Sequence, residues 1–331
     1  MLATAPGALH TSLYHASALN GEVSAPLATF THLPGAVVRG AVLPGTDVVI
    51  ASADTAETRD PSFNASLFRV APHTPPERLC DGVVHAARPL VTPAGRVFVS
   101  RGAPGPVDDG PIAKMRVDAL SIDEVDPWTG ALHTVHTASA YLTFLAGALG
   151  DELIVYRVSP EGADIAGVDP DTGAVRTIVP HLPPFARDFS VDAEAGALVY
   201  QGRHEADART WTIERVDLGT GRTTRLHEGP DMNLAPHAWL GGGVAYNPES
   251  RAGLTLLGGG VVAGGLPEGG VDWVLSISET GRWAAGLHTV AGALPVPFAL
   301  DVESAHGVVL QGPPGARIAV AGLVSSEGGA P

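Results

Sequence analysis

Apolar residues along this chain come in short runs, separated by stretches rich in glycine, proline and acidic residues. That punctuation predicts many short β-strands. The clearest runs lie at 48–51, 97–100, 153–156, 198–201, 244–247 and 283–286. Helical periodicity is nearly absent: no long window carries an i, i+3, i+4, i+7 pattern with a cap and a stop.

The runs belong to a repeat. Three turns share a layout: Val125-Asp126-Pro127-Trp128-Thr129-Gly130, Val168-Asp169-Pro170-Asp171-Thr172-Gly173 and Val216-Asp217-Leu218-Gly219-Thr220-Gly221. Their aspartates are 43 and 48 residues apart, the length of a four-stranded propeller blade. The aspartate is expected to bond the backbone two or three residues on. The closing glycine is expected to supply the positive φ that reverses the chain. Weaker copies lie at 66–80 and 300–311.

The predicted fold is therefore all-β, a β-propeller of seven four-stranded blades in a single domain. One blade is shared by the two ends of the chain, 9–30 and 315–324, with 12–16 and 23–29 as its outer strands. The others lie at about 36–80, 84–137, 140–181, 186–228, 232–266 and 270–311. Six blades is the alternative if the ends do not pair. Sharing a blade removes the two free sheet edges that an open ring would leave.

The segment Phe189-Ser190-Val191-Asp192-Ala193-Glu194-Ala195-Gly196-Ala197-Leu198-Val199-Tyr200 resembles the first half of TolB-like and WD40-like propeller repeats. Residues 212–226 resemble their Asp-x-x-Thr-Gly half, and 92–99 and 278–283 repeat the first half. The Pro-Asp pair of that family is lost in most copies. The resemblance implies a rigid disc that binds proteins or small ligands. The same fold hosts lyases, hydrolases and scaffolds, so it sets no activity.

Composition narrows the partners. A net charge of -15, with Lys114 the only lysine, opposes binding to phosphate backbones, so nucleic acid is not expected. No run approaches the ~20 apolar residues of a membrane span. Cys80, the only cysteine, reads as a small buried residue. The first ten residues do not form a signal peptide. The expectation is a bacterial, monomeric, periplasmic or extracellular protein whose leader is absent from this chain, with a cytoplasmic place left open.

Counting back from each apolar run places Arg39, His85, Arg88, Asp188, His237 and Asp272 on inner strands, facing a central channel. Thr143 and Arg187 are read there too. Arg39 and Arg88 hold matching positions, each nine residues before the first valine of its run. These residues form a candidate ring for a protein or a small polar or anionic ligand. The plainer reading is that channel walls are wet and such groups pair with each other and with water. No metal or other cofactor is indicated, since the histidines lack ligand spacing. The acids at 108–109 and 121–126 read as turn carboxylates rather than calcium ligands. No nucleophile motif is present. A non-catalytic binding scaffold is expected. The alternative is a lyase or hydrolase at the channel mouth, with His85 or His237 as base. Long polar insertions at 52–64 and 101–116 are expected to emerge from one face.

Overall fold

The computed structural model describes residues 1–55, 64–102, 120–138, 142–159, 162–182, 185–203, 209–232, 234–239, 242–248, 254–258, 261–262, 266, 269–278 and 280–324. Among these there is no α-helix. The strands are β1 (Leu2–Thr4), β2 (His10–Leu13), β3 (Ala28–Thr31), β4 (Arg39–Val42), β5 (Val49–Asp54), β6 (Ala65–Val70), β7 (Glu77–Val83), β8 (Leu90–Val91), β9 (Val97–Gly102), β10 (Leu120–Val125), β11 (Leu132–Ala138), β12 (Leu142–Leu149), β13 (Glu152–Ser159) and β14 (Gly162–Val168). They continue with β15 (Val175–Val179), β16 (Phe185–Asp192), β17 (Ala197–Arg203), β18 (Trp211–Asp217), β19 (Thr223–Gly229), β20 (His237–Trp239), β21 (Gly243–Tyr246), β22 (Leu254–Leu256), β23 (Val261–Val262), β24 (Val271–Ile277), β25 (Trp283–Thr289), β26 (Val296–Asp301), β27 (His306–Val309) and β28 (Arg317–Ala319).

All pairings are antiparallel. Four sheets follow chain order, β12 to β15, β16 to β19, β20 to β23 and β24 to β27. A fifth is ordered β28-β1-β2-β3, and a larger sheet joins β4–β7 to β8–β11. The two halves of that larger sheet are linked through a single residue pair, Val83 with Arg101.

The outer turns form as their residues dictate. The Asp126 carboxylate accepts the N–H groups of Trp128 and Thr129, both at 2.8 Å. Asp169 does the same for Asp171 and Thr172, and Asp217 for Thr220. These bonds hold all three carboxyls below their usual range. Gly221 closes its turn at φ +72, and a Cβ there would lie 2.2 Å from the Ile178 carbonyl oxygen. This glycine serves the turn and also lets it rest on β15 of the preceding sheet.

Packing explains why the apolar runs are continuous rather than alternating. Leu153 and Val155 join Phe98 and Ile122 in one core cluster, while Ile154 and Tyr156 join Leu198 and Tyr200 in the next. Each sheet is buried on both faces, so successive residues of a middle strand enter different cores. The pattern repeats around the molecule. Val49 and Ala51 pack on Leu2 and Leu13, and Ile50 on Val97 and Val99. Val199 packs on Val244, and Ala245 on Phe298. The circle closes where Leu287 meets Ala3 and Ile318. First strands meet at the centre, with β12 beside β16, β16 beside β20, and β4 beside β8. The chain is a β-propeller, as its sequence predicts.

The two ends of the chain do pair: Leu2–Thr4 lies between β28 and β2, with Leu2 opposite Ala319. The N-terminal segment supplies three strands to that sheet rather than the two expected. A strand of three residues is too short to show alternation in the sequence.

Candidate functional site

Each four-stranded sheet is traversed in the same sense, so the starts of the first strands share one end of the axis. Arg39 opens β4 and His237 opens β20. Asp188 lies in β16 and Asp272 is the second residue of β24. His85 and Arg88 sit in the connection from β7 to β8 rather than on a strand.

Arg88 crosses the centre. Its Nε donates to the Gly40 carbonyl at 3.0 Å, Nη1 to Leu275 at 2.7 Å and Nη2 to Ala321 at 2.9 Å. One guanidinium thus ties β4, β24 and the segment after β28. Its side chain is crowded by protein yet remains exposed to water. Desolvation, and then the charge of Arg39, brings its pKa down to about 10. Arg39 is likewise lowered by desolvation. Among the described residues its guanidinium makes only a long hydrogen bond, to the carbonyl of its neighbour Val38. Among the described residues neither guanidinium meets a carboxylate.

His237 stands close enough for Arg88 to oppose its protonation. Burial is the larger cause of its lowered pKa, the charge of Arg88 adds to it, and a bond to Ala238 opposes it. That bond, from Nδ1 to the Ala238 carbonyl at 2.8 Å, sets the tautomer. The neutral ring therefore carries its lone pair on Nε2.

The other three candidates are engaged elsewhere. His85 pairs with Asp54 at 2.9 Å. Asp188 lies in a β-bulge with φ +57, a costly conformation for a residue with a side chain. Its carboxyl is raised by desolvation, against the pull of Arg187, whose Nε is 3.4 Å away. Asp272 is 2% exposed and bonds His288 at 2.7 Å. Its backbone N–H and carbonyl are both held by the Asn247 amide. Desolvation raises its carboxyl, and His288 opposes the shift. Arg88 therefore lies within electrostatic reach of both Arg39 and His237, while His85, Asp188 and Asp272 pair with Asp54, Arg187 and His288.

Sequence reasoning missed Arg88's three partners, because a backbone carbonyl carries no side-chain signal. It also missed His288, whose place opposite Asp272 in the β24–β25 register is fixed by pairing. Cys80 is buried, and desolvation raises its thiol to about 11. Asp123 and Glu124 are taken up by Arg101 and Arg96. The acids at 108–109 and the bodies of both insertions lie outside the described residues. The strands that flank those insertions, β5 with β6 and β9 with β10, have their facing ends at the same end of the axis.

No protein-family profile matches the chain, and no curated protein matches it. Solved structures do. TolB from Acinetobacter baumannii superposes with TM-score 0.53 at 13% identity, covering 97% of this chain and 66% of that one. A prolyl endopeptidase gives 0.59 at 16% identity, covering 93% and 49%. Puromycin hydrolase gives 0.56 at 14%, covering 83% and 47%. This chain thus spans about half the length of those two enzymes. The architecture built up from the strands is the β-propeller that these structures share.

Proposed function

We propose that this chain is a non-catalytic binding propeller that takes a small anionic ligand at the axial mouth. One observation carries the reading: Arg39 and Arg88 stand close together with no carboxylate partner among the described residues, in a chain of net charge -15. Two neighbouring guanidinium groups repel, and an anion between them removes that repulsion. Three of Arg88's five N–H donors are spent on carbonyls. Arg39 is then the principal ligand donor, with the two remaining N–H groups of Arg88 beside it. Counting the halves of the large sheet separately gives seven blades. On the strength of the TolB-like fold we assign it to a bacterial periplasm or cell exterior, as a monomer.

The test is thermal unfolding against a panel of small carboxylates and phosphates. A true ligand at about a hundred times its Kd stabilises the fold by about 2.7 kcal/mol. Arg39→Gln removes the shift while leaving the unliganded fold intact. Affinity rises as pH falls through the lowered pKa of His237, because a third positive charge then joins the site. A panel without any stabilising anion, or an Arg39→Gln variant that still responds, overturns the reading.

A second reading is a lyase or hydrolase with His237 as general base and the two arginines holding the substrate. It is favoured by the neutral His237 ring, whose Nδ1 is held by the Ala238 carbonyl so that Nε2 carries the lone pair, within electrostatic reach of Arg88. Turnover of any panel compound that His237→Gln abolishes, with binding retained, decides for it.

A further inference from the structure

At the edge of the sheet β16 to β19, four side chains form a stack. Phe185, Arg203 and Trp211 come from three adjacent strands, and Phe185 pairs directly with Arg203 in register. The Arg203 Cζ lies 4.2 Å from the Phe185 ring centroid and 5.1 Å from that of Trp211. Arg187 covers Trp211 at 4.8 Å.

The two arginines are not equivalent. Arg187 is bound to Asp188 and to the Met232 carbonyl. Arg203 makes no hydrogen bond and no ion pair among the described residues, and its Nε is buried without a partner. Both faces of its guanidinium are occupied by rings. Only the planar edge is left, and the residue is half-buried. Aromatic stacking fixes the plane and lowers the entropic cost of forming a two-pronged bond at that edge. Nothing inside the described structure uses it.

We propose that the Arg203 edge is a docking point for a carboxylate side chain of a protein partner, with an apolar residue beside it. The two-pronged edge matches the two oxygens of a carboxylate. A phosphate dianion would need a second free cation, and Arg187 is already neutralised by Asp188. The apolar neighbour is called for by Phe185, 41% exposed within the stack, and by Met232, 56% exposed, whose carbonyl Arg187 bonds. This site lies on the sheet edge and does not depend on Arg39.

The probe is N-acetyl-Glu-Leu-amide, followed through the indole N–H resonance of Trp211, assigned with Trp211→Phe. The glutamate peptide shifts that resonance, and the glutamine peptide binds about tenfold more weakly or worse. Arg203→Lys keeps the charge, loses the fork and weakens binding by a similar factor, while Arg39→Gln leaves it unchanged. If Arg203→Lys does not fold, Phe185→Leu, which removes one stacking ring at the exposed edge, must weaken binding instead. Equal binding of the two peptides, or inorganic phosphate displacing the glutamate peptide at equal concentration, overturns the proposal. So does an Arg203→Lys or Phe185→Leu variant that binds like the parent.

Discussion

At the outer turns, Asp126, Asp169 and Asp217 meet their donors two or three residues away. At the axis, Arg88 meets its acceptors 48, 187 and 233 residues away in the chain. Both regions place charge where the backbone needs it, but they close at different scales. A turn is complete once its own six residues are in place. The axial junction exists only when sheets from both ends of the chain have assembled. The turns spend their charge fully on local N–H groups, whereas the axis leaves positive charge uncancelled. Damage at a turn should therefore stay in its own sheet and the neighbour it rests on, and damage at the axis should weaken the whole ring.

The largest expected effect comes from Arg88→Met. It removes the donors from three carbonyls and costs about 2–4 kcal/mol in urea unfolding, since channel water replaces only part of the loss. Lysine at the same position should not restore it, having no planar fork to reach three acceptors. An Arg88→Met protein as stable as the parent would mean that the ring does not need its bolt. Gly221→Ala comes next. The new methyl group would meet the Ile178 carbonyl and force a positive φ on alanine, for a loss of at least about 1 kcal/mol. Here amide exchange should quicken in β14, β15, β18 and β19 and stay unchanged across the axis.

The smallest effect is in acid. The Asp217 carboxyl is lowered in the folded protein by its bonds to Thr220. Its contribution is thus present above the ordinary carboxylate value of about 4 and disappears as pH falls through the lower folded value. Asp217→Asn should flatten that part of the stability profile, sitting slightly below the parent at neutral pH and converging with it in acid. A parent whose stability rises on acidification would contradict the assignment.

This difference of scale also governs what the sequence discloses. The turns were legible because Asp, Thr and Gly act within a few residues of each other. The middle strands were legible because burial on both faces leaves unbroken runs such as Leu153–Tyr156. Arg39 and Arg88 were found through matching spacing, yet the role of Arg88 as a tie between sheets was not, since its partners are carbonyls. Asp272 was read as facing the channel. Its side chain turns to His288, because the adjacent sheet offers an amide at Asn247 that captures its backbone. Arg203 gave no signal at all. Its neighbours in the stack lie on separate strands, and only the register of β16, β17 and β18 brings them together.

The pairing of Leu2 with Ala319 carries a consequence for biosynthesis. On the ribosome β1 emerges with one edge bare and must wait for β28, translated some three hundred codons later. Through that interval the nascent protein holds an unfinished sheet open to any passing β-segment, including one from a sister chain. Slow elongation between the two would lengthen the wait, and exchange of β28 between two copies would be its characteristic failure.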